Sequence, residues 1–268
     1  MSTPPLIALL SDFGTSDHFV GAMKGEILKL CPEARLVDIT HHIAPQSIRH
    51  GAYCLEQSVG SFPPGTLFLC VVDPGVGSSR RALAVDAGGF RFVGPDNGLL
   101  GLALDTLKGP QSFVEISQGS SPEKEVSFTF HGRDIFAPSI ARLANGQALS
   151  QIGSEISDIV AFPARPPRPL GASVEVSVLC SDHFGNVTFE LKKGQESLPF
   201  AFAPGLEVLL KDQPIPFCRT FSEVEPGDSL FLWNSSSYLE LAVRDGHAQK
   251  RWGLSETSTV TLRRFERD

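Results

Sequence analysis

The amino-acid sequence predicts an α/β protein in which an N-terminal α/β domain with a central, mostly parallel sheet precedes a C-terminal antiparallel β-barrel-like domain. In residues 1–162, apolar runs alternate with amphipathic segments, and this strand–helix–strand pattern favours a parallel sheet with right-handed crossovers. In residues 173–268, short alternating strands separated by turn residues favour a small barrel or sandwich. Residues 163–172 between them are rich in proline, which is typical of a semi-rigid linker.

The elements of the first domain follow from apolar periodicity and turn residues. The first half is expected to contain a strand at 6–10, a helix with a stripe of Phe19, Met23 and Ile27 facing the sheet, a strand at 36–40, a helix at 48–59 and a buried central strand at 67–72. The second half is expected to contain a hairpin of 82–87 with 90–93, a helix ending at Leu107, an alternating segment at 126–130 and a helix from 135 to 144. Ser16 or Asp17 is expected to cap the first helix, and Asp134 the last. Pro138 is then tolerated because it lies in the first turn.

The second domain is expected to contain six short strands and one short helix. The strands are predicted at 173–179, 187–191, 206–210, 229–233, 238–243 and 257–262, with the helix near 247–254. Asp182, Phe184 and Asn186 fall in the turn between the first two of these strands, which on the pattern alone is a hairpin loop.

Composition excludes several classes of protein. A hydrophobic content of 41% with 20% charged residues is typical of a folded, water-soluble protein, and a net charge of −7 argues against a nucleic-acid-binding surface. No apolar stretch is long enough for a membrane helix, and the first residues lack the basic region of a signal peptide, so we expect a cytoplasmic location. The five cysteines are scattered without a C-x-x-C pair, which indicates reduced core thiols rather than zinc or disulfides.

Familiar catalytic motifs are absent. Gly75 and Gly77 begin like a dinucleotide-binding glycine motif, but Arg80 occupies the third glycine position. The sequence also lacks a P-loop, an H-E-x-x-H zinc motif and a G-x-S-x-G nucleophile elbow.

Polar residues nevertheless recur at strand ends or in the loops that follow them. They are Asp12, Asp17, Asp73, Arg80, His131 and Asp134. Because strand-end loops of one sheet converge, these side chains are candidates for one cleft. Structural explanations stay open at this point: a turn acid, a helix cap, a solvated ion pair, or a core histidine. The adjacent His41 and His42 are interpreted as structural.

Seven sequence blocks together are more specific than any one of them. They are SDFGTSD at 11–17, DITHHIAP at 38–45, VVDPGVGSSRR at 71–81, FVGPDNGLL at 92–100, FHGRDIFAP at 130–138, SDHFGN at 181–186 and NSSSYLELAV at 234–243. In this order they resemble the SAM hydroxide adenosyltransferases, which hydrolyse S-adenosyl-L-methionine (SAM) and share a fold with the SAM-dependent fluorinase and chlorinase.

The resemblance implies a homotrimer in which each active site lies between one subunit's N-terminal domain and its neighbour's C-terminal domain. It implies a catalytic set of Asp73, Arg80 and His131. It also implies that substrate is bound by Asp12 at the ribose hydroxyls with Asp17 close by, by Asp182, Phe184 and Asn186 at the methionine and adenine ends, and by Ser235 and the backbone around Asp245. SAM is the substrate, so no cofactor or metal is implied.

The chemistry of SAM agrees with such a set. Displacement at the ribose C5′ expels neutral methionine, which needs no general acid, so only the water nucleophile needs orientation and activation. Arg80 is too basic to accept a proton and is better suited to positioning Asp73 or stabilising developing hydroxide. Either Asp73 or His131 is able to accept the proton.

Three alternatives remain on the sequence alone. A halogenase would have to accept a halide beside the Asp73 carboxylate, which repels anions, and the resemblance places an aromatic residue there in the fluorinase, together with an extra loop. A SAM or adenosine sensor would not need the Asp73, Arg80 and His131 set. A metal-dependent hydrolase would use His131, Asp134 and Asp73.

The sequence departs from the family pattern at Gln46, which stands where relatives usually carry an aromatic residue.

Overall fold

A computed structural model describes residues 3–117, 126–194 and 198–266. The chain divides into two compact units, Met1–Pro163 and Ala164–Asp268. None of the helices in these described ranges combines the length and apolar character needed to cross a bilayer.

The first unit contains a seven-stranded sheet of order β2-β1-β3-β5-β4-β6-β7. Its strands are β1 Leu6–Ser11, β2 Arg35–Thr40, β3 Leu67–Val71, β4 Ala82–Ala87, β5 Phe90–Pro95, β6 Ser112–Ile116 and β7 Gly153–Glu155. The pairings among β2, β1, β3 and β5 are parallel, and the sheet continues through β4, β6 and β7 in antiparallel pairings. The predicted α/β class and the central position of the strand before Asp73 are confirmed.

Helices cover both faces of this sheet. They are α1 Phe19–Leu30, α2 Ile48–Val59, α3 Gly101–Thr106 and α4 Ala137–Ala144, with a π-helical turn, Gly132–Phe136, leading into α4. Alternate residues of β1 face different helices: Ile7 and Leu9 join the core under α1 and α4, and Ala8 and Leu10 join the core under α2 and α3. Burial on both faces explains why β1 and β3 read as continuous apolar runs, whereas the edge strand β2 does not.

The order of the strands creates a crevice between β1 and β3. The chain leaves β1 through α1 to reach β2 on one side, and then returns through α2 to β3 on the other side. Crossovers that diverge in this way leave a gap at the carboxyl ends of the two neighbouring strands, which is where ligands bind in open α/β sheets. Asp12 follows β1 and Asp73 follows β3, so the topology places both at this gap.

Several local predictions in this unit are wrong. His18 precedes α1 without a side-chain cap, and Ser16 donates to Asp17 instead of capping. Phe19 is partly exposed and packs edge-on against Phe130 instead of joining the buried stripe of Met23 and Ile27. Asp134 does not cap the last helix. Its carboxylate lies in the π-helical turn and accepts hydrogen bonds from the Ser127 amide and from Arg133.

Other differences concern strands. Residues 126–130 form an irregular segment and a turn rather than a strand, because the Ser127 and Thr129 amides donate to side chains, those of Asp134 and Ser127, instead of to a neighbouring strand. The strands β6 and β7 were not predicted from the sequence. They are short strands at one side of the sheet: β6 pairs with β4, and β7, the edge strand, pairs with β6. Pro138 lies in the first turn of α4, as predicted.

The second unit is a nearly closed antiparallel barrel. Its strands are β8 Arg168–Leu170, β9 Ser173–Ser181, β10 Val187–Lys192, β11 Glu207–Leu210, β12 Gln213–Pro216, β13 Ser229–Trp233, β14 Tyr238–Val243 and β15 Thr259–Arg264, and its helix is α5 Ala248–Trp252. They follow the order β12-β11-β15-β9-β10-β14-β13, with β8 paired to β9. A bridge between Phe217 and Phe231 brings the two ends of this order together.

The barrel-like class of the second domain is therefore confirmed. Two strands were not predicted: β12, which carries two prolines, and β8, which lies inside the proline-rich segment. Both are short edge elements, in which proline is tolerated because an outward-facing position needs no amide donor.

Candidate active site

A cavity of about 410 Å³ lies at the crevice between the ends of β1 and β3. Three of the predicted residues line it, namely Asp12, Asp73 and His131, and Phe13, Phe19 and Phe130 are also in its wall. Larger hollows of about 790 and 550 Å³ lie elsewhere, at the barrel and beside Arg91. Neither contains a predicted site residue, so we take the smaller cavity, where acidic groups, an imidazole and aromatic rings meet, as the candidate site.

The loop carrying Asp73 is fixed by its neighbours. The Asn97 side-chain amide donates to the Val72 carbonyl at 2.8 Å, and the Asn97 oxygen accepts from the Leu99 amide at 3.1 Å. Gly77 adopts a positive φ of 77°, and a Cβ atom there would lie 2.5 Å from the Phe128 carbonyl oxygen. Glycine at this position therefore lets the Asp73 loop approach the segment that leads to His131.

Arg80 joins Asp73 to His131. Its Nε donates to Asp73 Oδ1 at 2.8 Å, its Nη2 donates to Asp73 Oδ2, and the same Nη2 lies 2.9 Å from His131 Nδ1. The side chains of Asp73 and Arg80 are only 5% and 10% exposed. The guanidinium also lies over the Phe136 ring, 5.2 Å from its centroid. A buried guanidinium that makes two hydrogen bonds to one carboxylate and packs on an aromatic ring has little freedom to move.

The network determines the protonation of His131. Burial, followed by the nearby Arg80 charge, lowers the pKa of His131 below its ordinary value of 6.5, although Asp73 and Asp134 partly oppose this shift. A guanidinium has only donors, so the Nδ1 atom of His131 must accept. The neutral ring therefore carries its proton on Nε2, and His131 presents an N–H donor there.

Arg81 has a different role from its neighbour. It pairs with Asp96, whose other oxygen accepts from the Val160 amide at 2.7 Å, and it also reaches Asp158 at 3.1 Å. Its carbonyl oxygen accepts from Arg80 Nη1 at 3.3 Å and from the Asp96 amide at 3.0 Å. Arg81 thus anchors the backbone that supports Arg80.

Asp12 links two loops of the site. Its Oδ2 accepts from the Gln46 amide at 2.8 Å, and Gln46 has a positive φ of 65°. At the preceding residue, Ser11, the Oγ lies 2.7 Å from His41 Nδ1, and His41 Nε2 lies 3.1 Å from Asp38 Oδ1. The buried His41 therefore holds the end of β1 in place, which agrees with its structural interpretation.

Asp17 is exposed and is not among the residues lining the cavity. Arg80 is also outside the lining and acts from behind Asp73 and His131.

The remaining predicted residues lie on three loops of the second unit. Asp182 accepts from the amide and the side chain of Asn186 at 2.8 and 3.0 Å, which closes the β9–β10 turn. Phe184, at the tip of that turn, is 74% exposed. Ser235 is exposed in the β13–β14 turn, and Asp245 is exposed in the turn after β14.

Sequence reasoning missed the supporting residues Phe136, Asp96, Asn97 and Arg81. Asn97 and Asp96 stand in the G-P-D-N-G turn, which was a signal for a turn but not for its partners. Among the described residues, no group of three or more His, Cys, Asp or Glu side chains is arranged to hold a metal ion.

Comparison with known proteins identifies relatives along nearly the whole chain. A protein of Salinispora tropica named (R)-S-adenosyl-L-methionine hydrolase is 39% identical over 258 residues, covering 95% of this chain and 96% of its own. A fluorinase of Actinopolyspora mzabensis is more distant, at 27% identity over 292 residues and 97% of each chain. A crystal structure of an uncharacterized conserved protein from Thermotoga maritima superposes with a TM-score of 0.85 at 33% identity, covering 96% of this chain and all of its own.

Both parts of the sequence also match domain families. Residues 7–153 match the SAM hydroxide adenosyltransferase N-terminal domain, and residues 176–261 match the SAM hydroxide adenosyltransferase C-terminal domain. These matches confirm the family indicated by the seven sequence blocks: the chain belongs to the SAM hydroxide adenosyltransferase family.

Proposed function

We propose that this protein is an enzyme that hydrolyses S-adenosyl-L-methionine to adenosine and L-methionine. The observation that carries the proposal is the Asp73–Arg80–His131 network at the wall of a cavity that also presents Asp12. The relative from Salinispora tropica bears the name of such a hydrolase. A cavity of about 410 Å³ lies within the range of ligand-binding clefts.

In the proposed reaction a water or hydroxide attacks the ribose C5′, a C5′–O bond forms, and the C5′–S bond breaks. The electron pair of that bond goes to sulfur, which leaves as the neutral thioether of methionine. His131 donates its Nε2–H to the nucleophile and orients it, because its Nδ1 is engaged by Arg80. Asp73 then accepts the proton of the attacking water, since each carboxylate oxygen retains a lone pair beside its bond to Arg80.

A halide would be a poor nucleophile in this cavity. Asp73 is negatively charged when paired with Arg80, and it lines the space in which an anion would have to lose its hydration. Because a more distant relative is named a fluorinase, water and halide should be compared directly as nucleophiles. Halogenation is thus a testable alternative that the Asp73 carboxylate disfavours.

We also propose a homotrimer in which the loops bearing Asp182, Phe184, Asn186, Ser235 and Asp245 of one subunit complete the cavity of its neighbour. Two observations support this proposal: Asp12 lines the cavity, where its carboxylate would accept from the ribose hydroxyls, and the exposure of Phe184 suits an aromatic surface that stacks on a base. None of the five cysteines, all of which the structure describes, is in a disulfide, which supports a reducing, cytoplasmic location.

The proposal is tested by incubating the purified protein, in separate reactions, with SAM of (R) and of (S) configuration at sulfur. Adenosine and methionine are then measured by chromatography. Added fluoride or chloride would reveal any 5′-halogenated nucleoside. We expect adenosine and methionine in equal amounts, unchanged by chelator and absent with His131→Ala. SAM binding without turnover would identify a sensor, and a halogenated product would identify a halogenase.

The subunit arrangement is tested by mixing two inactive variants, Asp73→Asn and Phe184→Ala. If neighbouring subunits share each site, mixed trimers contain some sites with neither substitution, and activity returns. No recovery after subunit exchange would contradict a shared site.

A further inference from the structure

A buried carboxylate of the barrel lies outside the groups that the reaction uses. Glu240 points away from the barrel interior, since its neighbours Leu239 and Leu241 fill the core, and yet it is only 7% exposed. Thr188 on β10 and Leu232 on β13 are its register partners, and both are buried. An acid inside an apolar strand is costly to bury and needs a compensating partner.

The partner of Glu240 is the turn that carries Ser235. Asn234 Nδ2 donates to Glu240 Oε2 at 3.1 Å. The other side of the same amide, Asn234 Oδ1, accepts from the backbone of Ser236 and of Tyr238, both at 3.0 Å. Glu240 therefore fixes which way the Asn234 amide faces, because a reversed amide would present its NH₂ group to two backbone donors.

The turn depends on this amide orientation. Ser237 has a positive φ of 62°, which is unusual for a residue with a side chain, and its amide donates to the Asn234 carbonyl at 2.9 Å. Ser235 is held between residues that the Asn234 side chain ties together. The position of Ser235 and of its backbone amide is thus set through Asn234 by Glu240.

We propose that Glu240 is a positioning residue for substrate binding: through Asn234 it holds the Ser235 turn in the conformation that contacts bound SAM. The inference rests on the proposed function. It assigns Glu240 an effect on substrate affinity and none on the attack at C5′, because Glu240 contacts neither the Asp73 network nor the cavity described above.

The surroundings of Glu240 in the barrel make its charged form costly. Burial raises the pKa of Glu240 to about 7, the charge of Asp182 adds to this effect, and the bond from Asn234 opposes it. Of the elements packed against β14, β10 carries Glu190 and Lys192 and α5 carries Lys250 and Arg251, and Asp182 lies in the turn before β10. A leucine would fill the same space without this cost, so retaining the acid suits a specific contact.

The test compares KM and kcat of SAM hydrolysis for substitutions in the pair. Glu240→Leu removes the acceptor, and we expect KM to rise about tenfold or more while kcat changes less than about threefold. Glu240→Gln keeps an acceptor oxygen, so we expect KM to stay within about threefold of wild type.

A substitution of the partner keeps the inference testable if Glu240→Leu fails to fold. Asn234→Ala removes both the donor to Glu240 and the acceptor of the two backbone amides, so KM should rise at little-changed kcat. Adding Glu240→Leu to Asn234→Ala should raise KM no further, because its partner is already gone. An unchanged KM in Asn234→Ala, a further rise in the double variant, or a fall in kcat at unchanged KM, overturns the inference. A wild-type protein without SAM hydrolysis refutes the proposed function instead.

Discussion

Replacing Arg80 with lysine separates the geometry of the network from its charge. The guanidinium makes two bonds to Asp73 and one to His131, each from a planar group held over Phe136. Lysine keeps the positive charge but offers a single nitrogen, which cannot occupy all three donor positions. Asp73 keeps a neutralising partner, and the orientation of Asp73 relative to His131 is lost.

The size of the effect follows from the bonds lost. A hydrogen bond to a charged group contributes about 1.5–3 kcal/mol, and lysine leaves about two such bonds unmade. A loss of about 3–6 kcal/mol from the transition state lowers kcat by about 10²–10⁴-fold. Arg80 does not line the cavity, so KM for SAM should change less than about threefold.

The assay is release of adenosine from SAM, with thermal unfolding of each variant as a check on folding. Arg81→Lys is the matched control, because Arg81 pairs with Asp96 and Asp158 and touches neither Asp73 nor His131 through its side chain. It should lower stability more than kcat. If Arg80→Lys retains kcat within about fivefold, or raises KM as much as it lowers kcat, the assignment of Arg80 as the residue that orients the network is refuted.

Three further predictions test the loops and the buried titrating groups. Gly77→Ala should lower both stability and kcat, because the new Cβ would meet the Phe128 carbonyl at 2.5 Å; Gly89→Ala, which has a similar φ but open space, should show the smaller cost of strain alone in the same melting and kinetic measurements. The pKa of His131, followed by NMR, should lie below 6.5, and kcat should fall as pH drops through that pKa, because a protonated Nδ1 cannot accept from Arg80; a pKa above 6.5 would contradict the network. The pKa of Glu240 is raised from 4.5 to about 7, so between these pH values the folded state binds more protons than the unfolded state. The free energy of unfolding should therefore fall by up to roughly 3 kcal/mol as pH rises from about 4.5 to about 7, and then level off. Glu240→Gln should remove this part of the pH dependence in denaturant titrations, and a variant with the same pH profile as wild type would contradict the prediction.

The sequence predicted the layered parts of the fold best. The helix at Ile48–Val59 and the strands Ser229–Trp233 and Tyr238–Val243 occur at their predicted limits, because their apolar period reflects burial directly. Helix starts were less predictable. His18 precedes α1 with no side-chain cap, since the chain there is held by packing around Phe19 rather than by a local hydrogen bond.

The site was predictable where loops follow strands of one sheet. Asp12, Asp73 and His131 meet because β1 and β3 are neighbours and the π-helical turn reaches the same edge. Residues that act through long-range contacts gave no such signal. Asn97 reaches Val72, 25 positions away, and Arg81 reaches Asp158, 77 positions away, and neither spacing has a periodic signature. Glu240 had a weak signal, because it is an acid within the apolar run Tyr238–Val243.

The central claim is that water, positioned beside Asp73 and His131, attacks the ribose carbon of SAM. It is tested most directly by running the reaction in water enriched in the heavy oxygen isotope and analysing both products by mass spectrometry. We predict one heavy oxygen atom in the adenosine, at its 5′ position and in proportion to the enrichment of the water, and none in methionine. Adenosine without the label, a label in methionine, or no adenosine at all would contradict it.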